Sequence, residues 1–277
     1  MKTQSVLSWF GSDSEVSELI SEYFNERKIS HVTIPFCGGL GILPHLKARA
    51  ILANDLKVRA IVANDLHAMA INFYQCLSGV QGYKYRALLI ERCQKTLSHP
   101  DEIRQARHIL KDSHDYISWE LAWAFWAICW LSRKGQGGTK NQEDNAKVSV
   151  RYTASGGMNS SRVRAAADDL TEWAKELERC DWMSEDFRRL KIADNHECGV
   201  YCDAPWDDLG DGYLHSFSRQ DHIDLRDKLS SLKKTFVLIR YGATTMIREL
   251  YQGWKIVEAE SATQSNAVKP ELWIMNR

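Results

Sequence analysis

The sequence predicts an α/β fold in which a parallel sheet is interrupted by a helical insertion. Helical and strand patterns alternate over the first 80 residues, and the alternation returns at about residue 199. Between about Tyr83 and Leu131 the pattern is helical without strands. Strands that alternate with helices are typical of a parallel sheet. We therefore expect an α/β domain made of residues 1–82 and 196–277, with residues 83–195 as a helical, partly basic insertion.

The individual elements follow from hydrophobic spacing and from short β-branched runs. In the first part of the chain we expect a helix over 14–27, a strand over 30–36, a helix from about Ile42 into the fifties, a strand over 59–63 and a helix over 67–77. Later we expect a helix over about 162–179, a strand over 199–203, a helix over 219–232 and strands over 235–240 and 272–275.

Composition and charge narrow the class of protein. The chain has 277 residues, of which 44% are hydrophobic and 26% charged, so it can bury a core without metal or disulfide staples. Lysine plus arginine number 36, as do aspartate plus glutamate, which excludes a wholly basic binder. The longest apolar run, Leu121 to Leu131, has 11 residues against the roughly 20 that span a bilayer, so we expect a buried helix and no membrane partner.

The seven cysteines are an odd number with no repeated short spacing, and no signal-peptide pattern precedes them. Free thiols in the cytoplasm are therefore expected. His196, Cys198 and Cys202 suggest zinc, but a fourth ligand at metal spacing is missing, so we expect no metal.

A glycine-rich turn, PFCGGLG at 35–41, separates the first predicted strand from the next helix. Glycines at such a junction let the backbone approach a ligand near free helical N–H groups. The alternative is a tight turn with no ligand. The next strand ends at Asp65, which could accept hydrogen bonds from ribose hydroxyls or cap the following helix. Because ANDL occurs at 53–56 and again at 63–66, Asp55 is a second candidate for the ribose.

The most informative segment is VYCDAPW at 200–206. Its apolar strand delivers Asp203, and Pro205 prevents the strand from continuing. An acid, backbone carbonyls and the flat ring of Trp206 at the carboxyl edge of a sheet suit a planar base that carries an amino group.

These segments resemble the Dam-type adenine-specific DNA methyltransferases, which move a methyl group from S-adenosylmethionine to the exocyclic amino group of adenine. DAPW at 203–206 resembles their DPPY motif, SWFG at 8–11 their KWAGG motif, and PFCGGLG their EPFxGxG loop. VANDLHAMAINFYQCL at 62–77, FVLIRYGATTMIRELY at 236–251 and PELWIMN at 270–276 also resemble family segments, in the family's order.

The resemblance implies a Rossmann-like methyltransferase sheet with a helical target-recognition insertion. The catalytic residues that it implies are Asp203, Ala204, Pro205 and Trp206. The S-adenosylmethionine-binding residues that it implies are Trp9, Gly11, Phe36, Gly38, Gly41, Asp65 and Asp203. The sequence departs from the family where Ala204 replaces the first proline, Trp206 the tyrosine, Asp13 a lysine and Ile34 a glutamate.

A polar, basic stretch is the expected DNA contact. Residues 133–164 carry seven basic and two acidic side chains, a local net charge of +5. We expect double-stranded DNA to be bound there by Arg133, Lys134, Lys140 and Arg151. A solvated loop is the alternative, and no obligate protein partner is evident. Amino methylation of cytosine or RNA, or a catalytically lapsed DNA-binding relative, are the alternative functions.

Overall fold

The structure, a computed structural model, describes residues 5–9, 11, 16–46, 61–112, 117–131, 159–207, 212–262 and 268–277. The chain forms two compact units. The first contains Met1–Ser12, Gly38–Gly41 and His67–Trp182, and the second contains Asp13–Cys37, Ile42–Leu66 and Met183–Arg277. The domain boundaries expected from the sequence stay a prediction.

The described helices and strands are numbered in chain order. The helices are α1 Ser17–Glu26, α2 Ala68–Ser78, α3 Tyr83–Gln94, α4 Pro100–Asp112, α5 Trp119–Leu131, α6 Asn159–Asp168, α7 Leu170–Leu177, α8 Arg219–Ser230 and α9 Thr245–Leu250. The strands are β1 His31–Ile34, β2 Ile61–Asn64, β3 Cys180–Met183, β4 Cys198–Cys202, β5 Phe236–Gly242, β6 Lys255–Ala262 and β7 Val268–Met275. Short 3-10 helices cover Leu43–His45 and Phe187–Arg189.

The second unit contains the sheet, whose strands lie in the order β2-β1-β4-β5-β7-β6. β1 is parallel to β2 and β4, and β4 is parallel to β5, whereas β7 is antiparallel to both β5 and β6. Met183, the last residue of β3, continues the sheet beyond β2, where its carbonyl accepts a hydrogen bond from the Asp65 N–H (3.3 Å). The α/β prediction is confirmed. The predicted parallel pairing holds for β1, β2, β4 and β5, whereas β7 and β6 are antiparallel.

The core of the second unit is built on β4 and β5, in which every residue is buried. Runs this apolar suit strands that are covered on both faces. His222 of α8 belongs to this core at 1% exposure, and its Nδ1 shares a hydrogen bond with the Tyr241 hydroxyl (2.9 Å). Burial lowers the pKa of His222 below its ordinary value, although Asp207 and Asp221 work in the opposite direction.

The regular elements described in the first unit are helices, apart from the part of β3 up to Trp182. All residues from Leu121 to Leu131 in α5 are buried, which confirms the helix expected from that apolar run. The indole N–H of Trp123 donates to Thr96 Oγ1 (2.8 Å), so this tryptophan is buried with its polar atom satisfied. No helix among the described residues is long and apolar enough to cross a membrane.

Two predicted helices differ from the structure, and two strands of the structure were not predicted. The helix expected from Ile42 is only a 3-10 turn over Leu43–His45 that holds Pro44, and Leu46 is already extended; residues 47–60 lie outside the described chain. The helix expected over 162–179 is two helices, α6 and α7. The strands β3 and β6 were not expected, since CDWM is short and KIVEAESA is rich in charge.

β7 begins at Val268, before the predicted start at Leu272. The strand can include Pro270, which has no backbone N–H, because this proline lies outside the part of β7 that pairs with β5. The pairing of β7 with β5 starts at Glu271, opposite Gly242. Pro270 lies beyond that point, opposite Glu260 of β6, and its carbonyl accepts a hydrogen bond from the Ala243 N–H (3.2 Å), just after β5. Proline is tolerated where one side of a strand lacks a neighbour that needs its N–H.

Asn64, the last residue of β2, joins three segments of the second unit. It is 1% exposed, and its Nδ2 donates to the carbonyls of Pro35 and Glu185 (2.9 Å each) while its Oδ1 accepts from the Glu185 N–H (2.9 Å). The Cys37 N–H donates to the Asn64 carbonyl (2.8 Å). One buried amide therefore fixes the segment after β1 to the end of β2.

Asn64→Ala should lower the free energy of unfolding by about 1–3 kcal/mol, because backbone groups at Pro35 and Glu185 lose their partner in a buried place. The matched control is Asn25→Ala, since half-buried Asn25 donates to the His45 carbonyl (3.1 Å) where water can replace it. Urea denaturation of the two variants measures the difference. Equal losses would contradict the assigned role of Asn64.

The buried His222 should make stability depend on pH. Its pKa is lower in the folded chain, so below about pH 6.5 the unfolded chain binds a proton there that the folded chain does not. Stability is therefore lost as the pH falls, by up to about 1.4 kcal/mol per pH unit from this residue. His222→Gln should show a shallower loss than the wild type between pH 7 and pH 5 in urea titrations. Parallel curves would refute this.

Candidate functional site

The candidate site of the second unit lies at the carboxyl ends of β1, β2 and β4. Phe36 follows β1 by two residues, while Asp65 directly follows β2 and Asp203 directly follows β4. These strands are parallel, so their carboxyl ends share one edge of the sheet. The chain adds β2 on one side of β1 and β4 on the other, and this switch in strand order is where open α/β sheets bind ligands.

Phe36 is part of an aromatic cluster at this edge. Its ring centroid lies 5.6 Å from that of Phe187 and 5.6 Å from that of Phe217, and the latter two are 5.7 Å apart. Phe36 is half-buried, so part of its surface remains accessible. The cluster offers an apolar wall next to the end of β1.

Asp65 is held through its backbone, by the hydrogen bond to Met183 in the adjacent strand. The N-cap residue of the following helix, α2, is His67. The competing candidate, Asp55, lies outside the described residues, as does Asp13.

Asp203 is engaged by an arginine that the sequence analysis did not single out. Arg240 of β5 donates from Nη1 to Asp203 Oδ2 (3.1 Å), and from Nε and Nη2 to Oε2 of Glu271 in β7 (3.1 and 2.8 Å). Arg240 is 4% exposed and Glu271 is fully buried. Burial opposes the charge of Arg240, but Asp203 and Glu271 raise its pKa above the ordinary value, so it stays charged.

Trp206 is buried at 5% exposure beside the same group. Its indole N–H lies 3.4 Å from Asp203 Oδ1, a long hydrogen bond. The ammonium of Lys269 lies 4.1 Å from the centre of its ring and the guanidinium of Arg240 lies 5.0 Å away. Such cations are attracted to the ring face. A base can stack on Trp206 only if neighbouring side chains move.

The rest of the DAPW segment is fixed by packing and by one side-chain hydrogen bond. Ala204 is 1% exposed and Pro205 is half-buried. Asp207, the next residue, accepts a hydrogen bond from the hydroxyl of Thr244 (2.7 Å), whose Oγ1 also caps the start of α9. The segment is therefore tied to β4 at one end and to α9 at the other.

In the first unit, the glycine-rich turn packs against Trp9. A side chain at Gly38 would meet the Trp9 indole nitrogen at 3.0 Å, and one at Gly39 would meet the Trp9 Cβ at 3.0 Å. Gly38 also has a φ of +47°, and Leu40 in the same turn has a φ of +56° despite its side chain. Tyr74 of α2 donates a short hydrogen bond to the Gly38 carbonyl. The glycines therefore make room for an aromatic ring.

Two further residues predicted to bind the cofactor lie in this unit. Gly11 has a φ of +74°, and Gly41 ends the glycine-rich turn. The four residues expected to contact DNA, Arg133, Lys134, Lys140 and Arg151, lie outside the described residues.

All seven cysteines are free and buried. Burial raises the pKa of Cys76 to about 12, and raises those of Cys93, Cys198 and Cys202 above the ordinary thiol value. His196 is exposed, and no cluster that could hold a metal ion is found in the described part of the chain.

Comparison with curated proteins gives no match. Among solved structures, one match is SMU.472, described as a methyltransferase and solved in complex with SAH. The identity is 11% and the TM-score 0.28, over 67% of this chain. The chain spans 55% of the length of that protein.

The family model of the D12 class N6 adenine-specific DNA methyltransferases matches residues 9–264, nearly the whole chain. The matched range begins at Trp9 and includes the segments that follow β1, β2 and β4. It confirms the resemblance seen in the motifs and the Rossmann-like fold class. The chain belongs to the D12 class N6 adenine-specific DNA methyltransferase family.

Proposed function

We propose that the protein transfers a methyl group from S-adenosylmethionine to the exocyclic amino nitrogen of adenine in double-stranded DNA. The observation that carries this proposal is the DAPW segment, which places Asp203 directly after β4 at the switch point of the sheet. In a chain of this family, that position suits a residue that receives the base.

The cofactor is an S-adenosylmethionine, which supplies an electrophilic methyl group on a sulfonium sulfur. In the second unit, Phe36 provides apolar surface for this cofactor. The carboxylates of Asp65 and Asp203 can accept hydrogen bonds from the hydroxyl and ammonium groups of the cofactor. The described edge fits such a ligand, since it combines an aromatic wall with acceptor oxygens. Trp9, Gly11, Gly38 and Gly41 of the first unit are proposed to have the same role.

The base is proposed to be held by the DAPW segment. Asp203 and the Ala204 carbonyl accept hydrogen bonds from the adenine amino group, Pro205 fixes the turn, and Trp206 stacks on the base. Because Trp206 is 5% exposed, stacking requires Lys269 to leave its place near the ring. Most of the rate enhancement is expected from positioning.

The transfer needs no covalent intermediate on the protein. A bound S-adenosylmethionine would supply its electrophilic methyl group to the lone pair of the adenine nitrogen and would leave as a neutral thioether, and the nitrogen would lose one proton to solvent. Burial and raised pKa values make Cys76, Cys93 and Cys202 unsuited as nucleophiles. Their free state also fits the reducing cytoplasm that we propose as the location.

A catalytically lapsed DNA-binding relative is the second candidate. It is favoured by the burial of Trp206 and by the engagement of Asp203 with Arg240. Binding of S-adenosylmethionine together with methyl transfer to adenine would exclude it. Transfer to cytosine or RNA, and not to adenine in DNA, would instead identify another amino methyltransferase.

Asp203→Ala and Asp65→Ala should separate the two carboxylate roles. Asp203→Ala should reduce methyl transfer to duplex DNA by about 100–1,000-fold while the fold and most affinity for duplex DNA remain, because it removes an acceptor from the reacting group. Asp65→Ala should weaken cofactor binding by about 1–3 kcal/mol. Calorimetry measures the binding and tritiated methyl incorporation measures the transfer. A folded Asp203→Ala protein with full transfer would disprove the mechanism.

The basic stretch should support DNA affinity and not chemistry. Joint replacement of Arg133, Lys134 and Lys140 by alanine should lower duplex affinity and flatten its dependence on salt, because fewer counterions are released. Fluorescence anisotropy at several salt concentrations measures both effects, and S-adenosylmethionine affinity is the internal control. An unchanged salt slope would assign the stretch to a solvated loop.

A further inference from the structure

We propose that Arg240 is a positioning residue for Asp203, which it keeps ionised and fixed in orientation, so that Asp203 meets the substrate amino group as a hydrogen-bond acceptor and not as a proton acceptor. This inference rests on the proposed function of Asp203. It concerns a residue of β5 that none of the sequence motifs had assigned to the site.

The orientation of Arg240 is set by a chain of hydrogen bonds across two strands. The indole N–H of Trp273 donates to Glu271 Oε1 (2.7 Å), and Glu271 Oε2 accepts both Nε and Nη2 of Arg240. With that edge of the guanidinium occupied, Nη1 is directed at Asp203 Oδ2 (3.1 Å). Arg240 and Trp273 are opposite each other in the β5–β7 ladder, so the register of the sheet builds this arrangement.

Burial makes the ion pair necessary. A carboxyl group removed from water tends to become neutral unless a cation lies beside it. The side chain of Asp203 is 15% exposed and that of Arg240 is 5% exposed, so solvent does little to screen their attraction. The carboxylates of Asp203 and Glu271 keep Arg240 charged against the cost of burial.

The ionisation state of Asp203 matters for the chemistry. An ionised carboxylate can only accept hydrogen bonds, whereas a protonated one can donate to the amino nitrogen and occupy the lone pair that must form the new N–C bond. With its Oδ2 bound to Arg240, Asp203 is a weaker base. The proton released after methyl transfer is therefore expected to pass to solvent, and the carboxylate is unchanged at the end of the reaction.

Cys202 and Tyr241 also interact electrostatically with Asp203. Burial raises the pKa values of Cys202 and Tyr241, so both remain neutral at the pH of a methyl-transfer assay. Asp207 lies on the same loop, and Lys269 of β7 lies over the Trp206 ring. These groups are the same in all the variants compared below, so they do not account for a difference between them.

The test compares Glu271→Gln with the double variant Arg240→Met/Glu271→Gln, which differ only in the cation. Arg240→Met alone would remove the cation shared by Asp203 and the buried Glu271 and could fail to fold. Two quantities are measured: kcat and KM for duplex DNA methylation from pH 5.5 to 9, and the titration of Asp203 by ¹³C NMR of labelled carboxyl groups, assigned with Asp203→Ala.

Loss of the cation should make Asp203 take up its proton at higher pH. The double variant should therefore lose at least about tenfold in kcat at pH 7 and recover part of it at higher pH. Its Asp203 titration should move to higher pH than in Glu271→Gln. Arg240→Lys, which keeps a cation at this place, should retain part of the activity and most of the normal pH profile.

A merely structural role for Arg240 predicts something different. The melting temperature would fall in the double variant, while the pH profile and the Asp203 titration would match those of Glu271→Gln, and that result would overturn the proposal. If the wild type transfers no methyl group, the proposed function fails. The NMR titration still decides whether Arg240 keeps Asp203 ionised, because it requires no turnover.

Discussion

A guanidinium placed between a fully buried carboxylate and a partly buried one holds the end of β4 against β5 and β7. Arg240 contributes the cation, and Asp203 and Glu271 contribute the anions. Charges are costly to remove from water, and removal of one partner from such a group typically costs about 3–5 kcal/mol. The register of three strands must therefore be correct for the group to be satisfied. The residue proposed to receive the base depends on the same register.

The ends of the parallel strands are fixed by different means. Asn64 connects the segment after β1 to the end of β2 through neutral amide hydrogen bonds. Asp203, which follows β4, is held by an ion pair with Arg240. Neutral hydrogen bonds to the backbone determine where the chain passes. The ionic contacts determine where a carboxylate points and what charge it carries. Neutral hydrogen bonds to the backbone are suited to a segment that supports a cofactor. Ionic contacts to a carboxylate are suited to a side chain that takes part in the reaction.

The sequence predicted the strands β1, β2, β4 and β5 and the buried helix α5, because their apolar patterns are local. It placed Asp65 and Asp203 correctly at strand ends for the same reason. It could not reveal Arg240 as part of the site, because a charged residue within an apolar strand finds its partners only through strands distant in the chain. The antiparallel β6 and β7 were missed or shortened, since charge and Pro270 obscure their alternation.

The seven buried thiols have a practical consequence. Cys37, Cys198 and Cys202 belong to the second unit, and the other four cysteines to the first. A thiol shielded from solvent reacts with an alkylating reagent only when its surroundings open, so the rate of modification reports the free energy of that opening. Mass spectrometry of the alkylated peptides can therefore record the opening of each unit separately. The native chain carries the probes for such an experiment at natural positions.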